Sequence, residues 1–93
     1  MIQHIVMWTF KDGIDKEKTF NEINAIFESF KHKVPGMKSL TLYRGFQGFN
    51  VCLISIHEDK AALDAYQVFP EHEAVKVVIA NVREERASCD FEI

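Results

Sequence analysis

Residues Ile2–Lys11 constrain this chain more than any other stretch. They read Ile-Gln-His-Ile-Val-Met-Trp-Thr-Phe-Lys, a run rich in β-branched and aromatic residues that predicts a strand. Side chains alternate along a strand. One face therefore carries Ile2, His4, Val6, Trp8 and Phe10; the other carries Gln3, Ile5, Met7, Thr9 and Lys11. Both faces are partly apolar, whereas a strand with one wet face alternates more cleanly. This strand needs helices on one side and a second apolar layer on the other.

The remaining pattern supplies the helices. Lys11-Asp12-Gly13 reads as a turn, and Asp15 as the N-cap of a helix reaching about Lys33. Phe20, Ile23, Phe27, Phe30 and Val34 recur at three- and four-residue spacing, with Ile26 beside them, forming one apolar stripe. His32, among lysines near the helix end, reads as a surface residue. Pro35-Gly36 stops the helix. Lys38–Arg44 and Phe49–Ile56 read as an antiparallel hairpin across Gly45–Gly48. His57-Glu58-Asp59 leads into a second helical region, capped by Asp59 and running from Ala61 to Phe69. Pro70 restarts the helix through Val75, Val78, Ile79 and Val82. Arg83-Glu84-Glu85-Arg86 reads as a charged exit, and Ala87–Ile93 as the last strand. The order strand, helix, strand, strand, helix, strand predicts an α+β fold. Its simplest packing is a ferredoxin-like βαββαβ sandwich, a four-stranded antiparallel sheet with helices on one face, forming one domain over residues 1–93.

Helices on one face leave the other uncovered. Eight phenylalanines in 93 residues are more than one small core needs. Large apolar patches are rare on monomers, so the economical partner is a second copy, a homodimer with the two sheets face to face. The net charge of −3, without a basic stripe, argues against nucleic acid as a partner. No charged start leads into an apolar run, and no apolar run approaches the ~18 residues of a membrane span. The expectation is a cytoplasmic protein with no membrane partner, whose two cysteines, Cys52 and Cys89, are reduced core thiols. The four histidines lack H-x-x-x-H spacing and the cysteines lack C-x-x-C, so no metal site is expected. The glycines at 45 and 48 form too short a loop to cradle phosphate, and no cofactor is implied.

Candidate chemistry concentrates at Ala65–Val75. Proline disfavours helix in the residue before it and suits the first turn of a new one. Phe69 should therefore end one helix, with Glu71 and His72 opening the next. Tyr66 and His72 flank this junction as a proton donor and acceptor. The plainer reading is a helix kink with two half-buried amphipathic side chains. His4, from the first strand, is the third polar candidate, and Val6, Trp8 and Phe69 are the expected apolar walls of a ligand pocket between sheet and helices. The positive end of the helix dipole favours a neutral His72, while Glu71 and Glu73 push the other way.

Three segments carry a resemblance: Tyr-Gln-x-x-Pro-x-His at 66–72, the opening Met-Ile-Gln-His-Ile-Val-Met-Trp-Thr-Phe-Lys-Asp, and Val34-Pro35-Gly36-Met37. In order and spacing they resemble the stress-responsive α/β-barrel (Dabb) family over essentially the whole chain. The resemblance implies a dimeric α/β barrel. In one branch, the plant polyketide cyclases, it implies a catalytic base at His72, a partner at Tyr66 and a cavity-lining His4. This chain departs from that branch at Val51 and Phe69, where the cyclases carry histidines. Three roles follow: a small-ligand-binding protein of unassigned activity, a lyase or cyclase using His72 as general base, and a structural stress-tolerance dimer without catalysis. The architecture also resembles the antibiotic-biosynthesis monooxygenases and haem-degrading proteins, in which Trp8 and His72 would be the residues of interest.

Overall fold

Local chemistry marks most element ends. In the computed structural model, which describes residues 1–93, β1 (Ile2–Phe10) leads through the Gly13 turn to α1 (Lys16–Phe30). The Asp15 carboxylate accepts the Lys18 backbone N–H at 3.1 Å and caps α1. The α1 stripe buries Phe20, Ile23, Phe27 and Phe30 against the sheet. Full burial of such a side chain contributes about 1.5–3 kcal/mol. The helix ends earlier than its periodicity predicts: residues Lys31–Lys33 form a single 3-10 turn, and Val34 is the last buried residue before Pro35.

Next come β2 (Met37–Arg44), β3 (Val51–His57), α2 (Lys60–Gln67), α3 (Pro70–Val82) and β4 (Arg83–Glu92). Gly36 starts β2 with φ +75°, a left-handed conformation that favours glycine. A Cβ there would also meet the Cβ of Ala62 on α2 at 2.6 Å. The Asp59 carboxylate caps α2 by accepting the Ala62 N–H at 2.8 Å. Pro70 occupies the first turn of α3.

The four strands form one antiparallel sheet in the order β2-β3-β1-β4. This is the ferredoxin-like arrangement, with the helices on one face. Register puts Ile2, His4, Val6, Trp8 and Phe10 on the buried side, opposite Val51, Leu53, Ser55 and His57 of β3.

Two expectations are corrected. Residues 83–86 do not form an exit loop; α3 passes directly into β4 at Arg83. β4 is an edge strand whose side chains are mostly exposed, so charged residues pair there without a burial cost. Its pairing with β1 shifts between Trp8↔Arg86 and Phe10↔Arg83, so Glu84 and Glu85 both oppose the single residue Thr9. The Thr9 hydroxyl accepts the Glu85 N–H at 2.9 Å, satisfying a donor at this β-bulge. The cysteines, in turn, are free but not in the core: Cys52 is half-buried and Cys89 exposed. Both lie on the helix-free face, where Cys52 opposes Met7 and Cys89 opposes Ile5. Ile54, Ile56, Tyr43 and Phe91 share that face. No helix is long and apolar enough to cross a membrane.

Candidate functional site

Pro70 breaks the helical region so that Tyr66, at the end of α2, and His72, in the first turn of α3, turn toward the same interior. Their ring centroids lie 4.1 Å apart, tilted by 30°. The two rings stack; they do not share a hydrogen bond. His4 of β1 meets Tyr66 edge-on at 6.1 Å. His57, the last residue of β3, lies 5.0 Å from Tyr66 and 6.3 Å from His4. Tyr66 is therefore the centre of three imidazoles, and all four side chains are buried.

Each histidine has a different second partner. The His4 Nδ1–H donates to the Asp90 carboxylate on the neighbouring strand. His57 Nε2 and the Ser55 hydroxyl are 2.9 Å apart. The His72 Nδ1–H makes a long contact of 3.4 Å to the Gln67 carbonyl, which also accepts a 2.6 Å bond from Lys76 Nζ. Burial, followed by the positive charge of Lys76, lowers the His72 pKa to about 4 against the opposing Gln67 bond; His72 is neutral at pH 7. Desolvation is the main cause. Burial and the neighbouring His4 likewise bring His57 to about 4. Burial pushes the Tyr66 phenol well above its usual value, so it stays a donor.

Three buried polar atoms have no partner: Trp8 Nε1, His57 Nδ1 and the Tyr66 hydroxyl. Trp8 and Tyr66 border a cavity of about 400 Å³ between sheet and helices. His4, Val6 and His72 line it too, and Phe27, Leu53, Ile79 and Ala80 complete the apolar wall. Gln67, Lys76, Arg83 and Arg86 supply further polar lining, and no Asp or Glu borders it. No three His, Cys, Asp or Glu side chains converge as metal ligands.

Five of the six residues expected from sequence thus share one cavity. Phe69 does not; as the N-cap of α3 it stacks on Phe30, at 5.9 Å and 21°. Val51 is buried opposite Trp8 in the sheet. Sequence reasoning left out His57, Asp90, Arg83 and Arg86. For His57 the signal was the β3 alternation, which runs one residue further than read and turns its ring inward with Val51, Leu53 and Ser55. The other three lie on β4, whose register no local pattern reveals.

Known structures share this architecture. A dimeric protein of unknown function from Bacteroides fragilis superposes with a TM-score of 0.89 at 22% identity, covering 99% of this chain and 95% of that one. A hydroxynitrile lyase from Passiflora edulis gives 0.84 at 17% identity, covering 99% and 92%. A putative antibiotic biosynthesis monooxygenase from Nitrosomonas europaea gives 0.84 at 16% identity, covering 100% and 98%. No curated protein is significantly similar in sequence. At these identities the likeness extends to the fold alone. The family described as Stress responsive A/B Barrel Domain matches residues 2–93. With its order of elements, its proline-split helical region and a match over nearly its full length, the chain belongs to the stress-responsive A/B barrel (Dabb) domain family.

Proposed function

We propose that the cavity binds a small, largely apolar organic molecule that carries an oxygen function. The observation that supports this most directly is the pair of buried, unpartnered polar groups on Trp8 and Tyr66, two residues that line one cavity. A buried donor without an acceptor costs about 1–3 kcal/mol. A ligand oxygen accepting from either group recovers part of that cost, while Val6, Phe27 and Leu53 take up apolar surface. The volume lies within the range of small-molecule sites. Native mass spectrometry of the purified protein tests the reading. Recovery of one co-purified organic molecule per chain, at lower occupancy in Tyr66→Phe, supports it; a clean apo mass that no member of a broad aromatic library shifts rejects it.

A second reading, proton transfer on the bound molecule, is favoured by the state of His72. Its Nδ1–H faces the Gln67 carbonyl, so Nε2 is a lone-pair acceptor, and the ring is neutral at pH 7. A carbon or oxygen acid seated beside it loses a proton to Nε2, and the Tyr66 hydroxyl or Trp8 N–H holds the resulting oxyanion. His4, oriented by Asp90, is the alternative acceptor. That chemistry belongs to lyases and cyclases. It predicts that His72→Ala abolishes turnover of an identified ligand while leaving its binding within a few-fold.

The proposed assembly is a homodimer through the helix-free sheet face. Ile5, Met7, Ile54, Ile56 and Phe91 form a continuous apolar surface there, and the Bacteroides fragilis protein of the same fold is dimeric.

A further inference from the structure

Arg83 and Arg86 are three residues apart on β4. On an unbroken strand an odd separation sends two side chains to opposite faces. Both arginines nevertheless line the cavity. The bulge opposite Thr9 explains this, since one extra residue between Arg83 and Arg86 restores them to the same side. Bulges re-aim side chains in this way and are common beside sites. The bond from the Glu85 N–H to the Thr9 hydroxyl holds this one in place.

The charge they bring is uncommitted. The ion pairs of Lys31, Arg44 and Lys76 and the His4–Asp90 contact include neither Arg83 nor Arg86. Lys76 is already held by Glu73 and the Gln67 carbonyl. No carboxylate lines the cavity, although the chain as a whole has a net charge of −3. Apolar side chains and the two residues with unpartnered donors, Trp8 and Tyr66, are also part of the lining.

We propose that Arg83 and Arg86 recognise an oxyanion, and that the ligand is a small organic carboxylate or phosphate ester whose apolar body enters the cavity. The inference rests on the reading of this cavity as a ligand site and names its chemical class. Guanidinium groups suit both anions because their paired N–H donors match two oxygens at once. The uncharged Trp8 and Tyr66 donors then serve the body of the molecule, and the arginines its charge.

Trp8 is the only tryptophan, so its indole N–H gives one reporter resonance on the cavity wall. The intact protein is titrated with 1-naphthoate, 1-naphthyl phosphate and neutral 1-naphthalenemethanol, following that resonance by NMR. At least one anion is expected to bind about tenfold more tightly than the alcohol, as a charged hydrogen bond implies, and the tighter anion identifies the class. Arg86→Gln, at an exposed edge position, should remove most of that preference by weakening the tighter anion far more than the alcohol; Arg83→Gln should do the same. If the alcohol binds as tightly as both anions, or if Arg86→Gln keeps the preference, the inference is overturned while the cavity reading stands. If none of the three probes moves the indole resonance at millimolar concentration, the cavity reading falls and the inference with it.

Discussion

Tyr66→Phe should make the ligand-free protein more stable. The Tyr66 side chain is 0% exposed, and its hydroxyl has no hydrogen-bond partner. Phenylalanine keeps the ring that packs 4.1 Å from His72 and 5.0 Å from His57, and removes only the oxygen. An unsatisfied buried hydroxyl costs about 1–3 kcal/mol. The expected gain is set at the lower end of this range, about 1 kcal/mol. For a domain of this size that raises the melting temperature by roughly 4–8 °C. Urea unfolding and calorimetry at one protein concentration measure it. Ligand affinity should move the other way, falling about threefold to tenfold for one neutral hydrogen bond. Opposite signs on stability and binding mark a residue retained for its ligand. A Tyr66→Phe protein less stable than the parent by 1 kcal/mol or more would refute the argument, because the hydroxyl would then have a partner within the fold.

Acid should unfold the protein through its buried histidines. His57 and His72 have folded-state values of about 4 against 6.5 unfolded, so between these the unfolded chain binds more protons and stability falls as pH drops. The loss should be on the order of 2 kcal/mol for each, fully developed below pH 4, and a urea midpoint that stays constant from pH 7 to pH 4.5 contradicts it. His72→Ala should also lower stability by about 1–2 kcal/mol, from the lost ring contact with Tyr66 and the lost bond to Gln67. On the helix-free face, Ile5→Glu should convert a particle of twice the 10.8 kDa chain mass into a monomer by light scattering. A parent protein that already scatters as one chain would exclude the proposed dimer. In the Ile5→Glu monomer the exposed Cys89 should react rapidly with a thiol reagent; in the parent, burial of the same face in the proposed dimer should slow the reaction.

Features set by neighbours in sequence were legible in the sequence. Asp15 and Asp59 cap helices by bonding three residues ahead, and Pro70 breaks one by lacking an N–H. Alternation along Ile2–Phe10 revealed a strand with demands on both faces, and hence the sheet's layering. Features set by register were not legible. Asp90 becomes the partner of His4 only because β4 pairs with β1 in one alignment, 86 residues away along the chain. Arg83–Arg86 resembled a loop because charge usually marks exposure, and an edge strand is exposed. Phe69 was misplaced for a related reason. Its position beside Pro70 fixes its backbone, but the direction of its ring is decided by Phe30 on another helix.

The broken helix between α2 and α3 has a chemical result as well as a geometric one. In an uninterrupted helix the carbonyl of residue 67 would be consumed by the N–H of residue 71. The interruption at Pro70 frees that oxygen, and His72 and Lys76 take it instead. The oxygen released from the backbone ladder thus selects which imidazole nitrogen carries the proton. Pro70→Ala, by letting the ladder close, would return the carbonyl to the backbone and leave the imidazole free to invert its tautomer. Through that one carbonyl, the proline fixes the protonation geometry of a buried imidazole as the chain folds.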